Sequence, residues 1–190
     1  QVALPDLGTP RAHCGLGWML FNYPGGTVIG HDGGTLGQAA FLRVVPEAGV
    51  AMALLANGGD VVPVYHAVFR HLLAELAGVE LPALPVPPAD PQLVNADRVS
   101  GTYRTTRAEL ELSVDAEGRA WLRTEARTEE AKRVLPEPTV VELVRLHDDK
   151  LIMIEPQGGM HQVIGLLGSD SSGRARFLYG NGRAVARVPA

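Results

Sequence analysis

The feature that most constrains the fold is a proline-rich segment in the middle of the chain. Residues 81–91 read LPALPVPPADP, with five prolines in eleven residues. Each proline fixes its own φ angle and lacks a backbone donor, so neither a helix nor a central strand can run through this segment. We predict an extended, stiff linker over residues 81–97. It would separate a first domain at residues 1–80 from a second at residues 98–190.

The rest of the composition is that of a folded protein and excludes several classes of function. Among 190 residues, 46% are hydrophobic and the net charge is −4, so the sequence gives no basic face for nucleic acid. The single cysteine, Cys14, cannot close an internal disulfide, and the six histidines lack metal-binding spacing, so we expect no metal and no cofactor. No apolar run approaches the roughly 20 residues that span a bilayer, and we expect no transmembrane segment.

The first segment predicts three strands and one helix. Strands are predicted at residues 17–23, 38–45 and 50–56; the last two form a hairpin, and the continuous apolar run 50–56 suggests a strand covered on both faces. A helix is predicted between Asp60 as N-cap and Gly78 as C′ residue. Its apolar face repeats at helical spacing and consists of Val61, Val64, Tyr65, Val68, Phe69, Leu72, Leu73 and Leu76.

The second segment predicts eight short strands separated by turns, and no helix. The runs are VSGTYRT, LELSVD, AWLRTEA, VVELVRL, KLIMIE, QVIGLL, ARFLYG and AVARVP, and Asn181-Gly182 between the last two predicts a type I′ turn. The predicted fold class is therefore α+β: an antiparallel sheet with a C-terminal helix, followed by an all-β eight-stranded barrel. Such a barrel fills with its own side chains or holds one small ligand.

The densest glycine pattern, GHDGGTLG at residues 30–37, lies between two predicted strands. Adjacent glycines remove the Cβ atoms that keep a ligand away from the backbone, so their amides could pair with an extended substrate or donate to an oxyanion. His31 is the side chain of this motif that exchanges protons near neutral pH. An ordinary hairpin loop with a surface histidine is the alternative interpretation.

Residues 14–77 resemble the C-terminal part of the serine β-lactamase and penicillin-binding-protein family, nearest the class C enzymes and their esterase and aminopeptidase relatives. The resemblance is carried by GLGW at residues 15–18, HDGG at 31–34, FLRVVPEAGVAMALLAN at 41–57 and the closing helix. The second segment resembles the lipocalin-like barrel appended to several enzymes of this family, with GTYR at residues 101–104 as its local cue.

The family resemblance implies roles for four residues of the glycine motif. His31 would match the cationic residue of the third family motif, K-T-G, facing the nucleophile. Gly33 would allow close approach of the substrate, and the backbone N–H of Gly34 would donate to the oxyanion. Asp32 departs from the usual Thr or Ser and would place a negative charge beside the site, which favours substrates without an acidic group there. Asn57 is a fifth candidate from its position alone: it closes the apolar run 50–56 just before the predicted helix and would reach the rim of the site, with a turn or capping role as the alternative.

The sequence supplies no nucleophile. None of its five serines has a lysine three residues later, and Tyr179-Gly180-Asn181 is more simply part of a turn than the family's base motif. Together with the start at Gln1, this leads us to expect the C-terminal portion of a serine hydrolase that acts on a small-molecule ester, amide or β-lactam through an acyl-enzyme. Its partner would be the N-terminal portion of the same enzyme, continuous with it or cleaved from it. Alone it would be inactive. The rival hypothesis is a non-catalytic module that binds a small ligand on a degenerate scaffold.

Overall fold

The structure is a computed structural model that describes residues 2–7, 11–35 and 37–189. It contains two compact units, one of residues 1–85 with 157–160 and the other of residues 86–156 with 161–190. The division after Pro85 falls inside the proline-rich segment, and residues 78–95 contain neither helix nor strand, as their prolines predict.

The first unit is a six-stranded antiparallel sheet whose strands lie side by side in chain order. Its strands are β1 (Val2–Ala3), β2 (Arg11–Gly15), β3 (Trp18–Tyr23), β4 (Gly26–Thr35), β5 (Gln38–Val45) and β6 (Val50–Ala56). Helix α1 (Val61–Ala77) packs on one face of this sheet through Tyr65, Phe69 and Leu73. The two faces of the sheet therefore differ, since only one is covered by a helix of the described residues.

The predicted ends of α1 are confirmed. The helix begins directly after Asp60 and ends before Gly78, whose φ of 63° and backbone N–H bonds to Ala74 and Leu73 form a left-handed C-terminal cap. The Asp60 carboxylate, however, makes no capping hydrogen bond. The helix begins where the apolar periodicity starts, without side-chain capping.

The hairpin at residues 38–45 and 50–56 is confirmed to the residue, but three strands of the first unit were missed: β1, β2 and β4. The important one is β4, because it contains the glycine motif. Residues 30–35 are not a loop, since they form a regular ladder with β5, but they do lie at the end of the β4–β5 hairpin and His31 is exposed, as the alternative interpretation had it. The low strand propensity of glycine is outweighed by the pairing of its backbone.

Two predicted burial patterns are also corrected. Strand β6 was predicted to be covered on both faces, but its burial alternates, with Ala51, Ala53 and Leu55 exposed. The apolar face of α1 is wider than the face that it buries, because Val64 and Leu76 are more than half exposed. Apolar side chains are thus left uncovered on both the helix and the sheet.

The second unit is a closed barrel of eight antiparallel strands, which confirms the predicted fold class. The strands are β7 (Gly101–Arg104), β8 (Ala108–Val114), β9 (Ala120–Ala126), β10 (Thr139–His147), β11 (Lys150–Met153), β12 (Val163–Ser169), β13 (Ala175–Gly180) and β14 (Arg183–Arg187). The positive φ angles of Asn181 (49°) and Gly182 (75°) agree with the predicted type I′ turn. The sequence prediction missed two four-residue helices, α2 (Ala96–Val99) and α3 (Glu129–Lys132).

The barrel interior is packed with its own side chains. Tyr103, Leu112, Leu143 and Leu151 are among the most deeply buried residues of the chain and belong to one cluster drawn from several strands. An eight-stranded barrel is just wide enough to be filled in this way. The cluster gives this unit a hydrophobic core of its own.

Candidate active site

Strand β4 extends beyond one of its neighbours, and this overhang contains the HDGG motif. On one side, β4 pairs with β3 only as far as the Met19–Gly30 pair. On the other side, its pairing with β5 continues to the Thr35–Gln38 pair. Residues 31–35 therefore form a free strand edge with respect to the sheet of the described residues.

The hairpin geometry indicates which backbone amides point to this free edge. Tyr23 and Gly26 flank the two-residue β3–β4 turn, and residues in that position form a hydrogen-bonded pair. Because hydrogen-bonding direction alternates along a strand, the even-numbered residues of β4 direct their backbone groups toward β3. Past Gly30 this alternation directs the N–H groups of Asp32 and Gly34 at the free edge.

The side chains of the motif divide between the two faces of the sheet. Asp32 pairs in register with Phe41, and Phe41 stacks on Tyr65 of α1 with ring centroids 4.3 Å apart. Asp32 therefore lies on the helix-covered face. His31 and Gly33 alternate with it and lie on the opposite face, where both are exposed. The imidazole and the carboxylate of adjacent residues thus face different environments.

A cleft of about 450 Å³ opens at the ends of β4, β5 and β6. Gly33, Gly34 and Asn57 line it together, although Asn57 is far from the glycines in sequence. His31 and Asp32 are not among its lining residues. The remaining walls are formed by Thr35, Gln38, Ala39, Ala40, Leu55 and Ala56. Three of the five predicted site residues therefore share one concavity.

Three of the four glycines of β4 belong to the GHDGG stretch, and the packing around them differs. A Cβ atom on Gly30 would lie 2.2 Å from the Leu42 carbonyl oxygen, so the packing requires glycine there. A Cβ atom on Gly34 would make an ordinary contact of 3.4 Å with the Gln38 carbonyl oxygen. A Cβ atom on Gly33 would meet nothing within 4 Å, and Gly33 has no positive φ angle. The fold of the described residues therefore does not explain glycine at position 33.

The negative charge of Asp32, which the sequence places beside the site, is compensated by Arg43. Arg43 Nη1 donates to Asp32 Oδ1 at 2.6 Å, and Arg43 Nη2 donates to Oδ2 at 3.2 Å. Burial alone would lower the pKa of Arg43, but the hydrogen bond to Asp32 and nearby tyrosines hold that pKa above its ordinary value. The guanidinium is therefore protonated, and the carboxylate is held on the helix side.

Sequence reasoning did not identify Arg43 as part of this arrangement. The signal was present in strand β5, QAAFLRVV, where strand alternation puts Arg43 on the same face as Phe41 and Val45. An arginine among core residues requires an acceptor, and Asp32 was the nearest acidic candidate along the neighbouring strand. Only the β4–β5 register, however, brings the two side chains together.

The first unit contains no serine nucleophile, and the described residues show neither a metal site nor a membrane-spanning helix. All five serines belong to the second unit, none to the first. Residues 2–7, 11–35 and 37–189 contain no group of three or more His, Cys, Asp or Glu side chains arranged to hold a metal ion. Among those same residues, no helix has the length and apolar character needed to cross a membrane.

Comparisons with known proteins find similarity in both sequence and structure. The family model described as Beta-lactamase matches residues 3–75. Penicillin-binding protein 4 of Amycolatopsis lactamdurans is 46% identical over 89 residues, which are 47% of this chain and 23% of that protein. The crystal structure of SurE with D-Leu aligns with 99% of this chain at 26% identity and a TM-score of 0.68. A second crystal structure of SurE aligns with 98% of it at 28% identity and a TM-score of 0.65. This chain covers 42% and 40% of those two structures, so it spans less than half of each of these relatives.

Proposed function

We propose that the chain supplies the oxyanion-binding side of a serine hydrolase active site, because residues 3–75 match the family model described as Beta-lactamase and a penicillin-binding protein is 46% identical over 89 residues. The nucleophilic serine and its base would come from the part of the relatives that this chain does not span. Two observations carry the proposal: the Gly34 amide points outward at the free edge of β4, and Gly33, Gly34 and Asn57 line one cleft at the ends of β4, β5 and β6.

In the proposed reaction, the serine oxygen bonds to the carbonyl carbon of an ester, amide or β-lactam. The carbonyl π electrons move to the oxygen, and the N–H of Gly34 donates a hydrogen bond to the resulting oxyanion. The bond to the leaving alcohol or amine then breaks, and that group receives the proton that the serine gave up. Water attacks the acyl-enzyme, releases the acid and restores the serine.

The other site residues have distinct proposed roles. His31, the first residue of the HDGG motif, lies on the exposed face of the sheet and would donate to the nucleophile or to the substrate, as the cationic residue of the K-T-G motif does. Gly33 leaves room for the substrate against the strand. Asn57 would hydrogen-bond the substrate from the end of β6. Asp32 and Arg43 stay beneath the strand, so the site would not repel a substrate carboxylate through Asp32.

The rival hypothesis of a non-catalytic ligand-binding module has less support. It needs a binding cavity in the barrel unit, where a pocket of about 320 Å³ is lined in part by the core residues Val94, Leu151 and Leu166, while most of the interior is occupied by buried side chains. The first unit, by contrast, has a cleft whose glycine at position 33 the fold does not require. The upstream part of the gene distinguishes the hypotheses: Ser-x-x-Lys followed by Tyr-x-Asn is expected for the hydrolase.

Filling the cleft is expected to abolish turnover without unfolding the protein. In the full-length enzyme, Gly33→Val should lower kcat/KM by about 10²-fold or more, because the new side chain occupies the space in which the acyl group must be held. Suitable substrates are a chromogenic cephalosporin, a p-nitrophenyl ester and D-leucine p-nitroanilide; the last is suggested by the D-Leu in the SurE structure. A fluorophosphonate probe would report the serine directly.

Ala51→Val is the matched control for this variant. Ala51 is exposed on β6, on the same face as Gly33 but at the other end of the sheet. We expect its activity to match the wild type. Turnover by Gly33→Val equal to that of the control would contradict the proposed site, whereas no turnover and no probe labelling in the wild type would contradict the hydrolase itself.

The isolated chain is expected to self-associate in solution, because apolar side chains on α1 are exposed when the rest of the enzyme is absent. Val64, Val68 and Leu76 are 53%, 38% and 57% exposed along one side of α1. The relatives are at least twice as long as this chain. We propose that the part of the full-length enzyme corresponding to their additional residues covers these three side chains. Sedimentation velocity should show self-association of the chain alone that decreases in Val68→Glu but not in Val140→Glu, an exposed barrel position. A monomeric wild-type chain would contradict the prediction.

A further inference from the structure

Arg43 occupies an unusual position for a charged side chain. It is 2% exposed and is the one charged side chain that is buried in the described part of the chain. Its guanidinium carbon lies 4.2 Å from the ring centre of Phe21 and 5.0 Å from that of Tyr65. The guanidinium is thus held between a sheet residue and a helix residue by two cation–π contacts.

The surroundings are shaped to admit this side chain. A Cβ atom on Gly30 would lie 3.1 Å from both Cδ and Nη1 of Arg43. Nη1 also donates to the Leu42 carbonyl oxygen at 2.8 Å, while the buried Nε has no hydrogen-bond partner among the described residues. Taking a charge out of water into such a site is costly, and apolar side chains of similar volume often stabilise a core as well or better. Stability alone therefore does not explain why the core contains an ion pair here.

The ion pair acts on the one part of β4 that lacks a partner strand on one side. Asp32 lies within the overhang of residues 31–35, between His31 and Gly33. The two-pronged bond from Arg43 restrains the Asp32 side chain in both position and orientation, because the guanidinium fork matches the carboxylate. Through the backbone, this restraint extends to the amide of Gly34, two residues farther along.

We propose that Arg43 is a positioning residue that fixes the free edge of β4, through Asp32, at the place where the oxyanion donor must lie. This inference rests on the proposed function and adds a residue that does not touch the substrate. An oxyanion donor acts only if it is already aimed at the developing charge, and a misplacement of about 1 Å costs on the order of 10²-fold in rate. A strand edge held on one side by β5 alone would not provide that precision.

The test compares four variants in the full-length enzyme. Arg43→Lys keeps the charge but loses the fork, Asp32→Asn keeps the shape but weakens the bond, and a double variant, Arg43→Met with Asp32→Val, removes both charges. Arg70→Lys, at an exposed position of α1, is the control. We expect kcat for a p-nitrophenyl ester to fall about 10- to 100-fold in the first three, with KM changed by less than about threefold, because the donor acts on the transition state.

The double variant separates positioning from stability. If the pair served only stability, replacing both charges by apolar side chains would restore the melting temperature and kcat together. If Arg43 positions the strand edge, the double variant should recover its melting temperature while its kcat stays low.

Hydrogen exchange gives an independent measurement of the strand edge. Peptides covering residues 31–35 should exchange about tenfold faster in Arg43→Lys than in Arg70→Lys.

The outcomes distinguish failure of the positioning role from failure of the proposed hydrolase function. Wild-type kcat in both Arg43→Lys and Asp32→Asn, or recovery of kcat in the double variant, overturns the positioning role and leaves the hydrolase intact. Unchanged exchange at residues 31–35 also overturns it. A wild-type enzyme without turnover or serine labelling overturns the proposed function, and the positioning role with it.

Discussion

Replacing Gly30 by alanine is expected to lower the free energy of unfolding of the first unit by about 3 kcal/mol or more, the upper range for overpacking a core. The new methyl group would lie 2.2 Å from the Leu42 carbonyl oxygen, which is backbone of the neighbouring strand and cannot rotate away. The same carbonyl accepts a bond from Arg43. Alanine would therefore disturb the β4–β5 ladder and the buried ion pair together.

Gly33→Ala on the same strand is the matched control. Its methyl group would meet nothing within 4 Å, so stability should change by less than about 0.5 kcal/mol. The two units can be followed separately, because Trp18 lies in β3 of the first unit and Trp121 in β9 of the second. In a Trp121→Phe background, urea unfolding monitored by Trp18 fluorescence reports the first unit. Equal midpoints for Gly30→Ala and Gly33→Ala would contradict the packing argument.

Local signals in the sequence were sufficient for much of the fold. Gly78 ends α1 because the left-handed C-cap conformation is easiest for glycine, and the proline-rich segment excludes regular structure on purely covalent grounds. The barrel strands could be recognised because each run alternates and is bounded by turn residues, of which Asn181-Gly182 is the strongest. These features depend on neighbours within a few residues.

The features that were missed depend on partners distant in sequence, or on whether another part of the protein covers a face of the sheet. Strand β4 contains the glycines that usually interrupt strands, and only its pairing with β3 and β5 makes it regular. Leu55 belongs to an apolar run, yet it is 78% exposed because nothing among the described residues covers that face. The same reason hid the partner of Asp32, since a contact between Asp32 and Arg43 exists only in one register of β4 and β5. At the candidate site, the sequence therefore predicts which residues are involved, but not which face of the sheet each side chain occupies or which partner it contacts.

Arg187→Leu should destabilise the barrel by about 3 kcal/mol or more, because it leaves several buried acceptors without donors. The Arg187 guanidinium donates to the carbonyl oxygens of Ala175 at 2.7 Å and Ser100 at 2.6 Å, and to the Tyr103 hydroxyl oxygen at 2.5 Å. It thereby joins the last strand of the barrel, β14, to the first, β7, and to the segment before it. Gly101 makes room for it, since a Cβ atom there would lie 2.0 Å from Arg187 Nη1.

The position of Arg187 at the junction of β14 and β7 explains why a single side chain has so large an effect. These strands close the barrel, and only two register pairs, Ala186–Arg104 and Arg187–Tyr103, join them. This ladder is the shortest in the barrel, and the Arg187 guanidinium adds side-chain hydrogen bonds to Ser100 and Tyr103 across it. Arg183→Leu, at an exposed site on the same strand, removes the same charge without these bonds and should change stability by less than about 0.5 kcal/mol. Trp121 fluorescence in a Trp18→Phe background measures both variants, and equal unfolding midpoints would show that β14 and β7 close the barrel without Arg187.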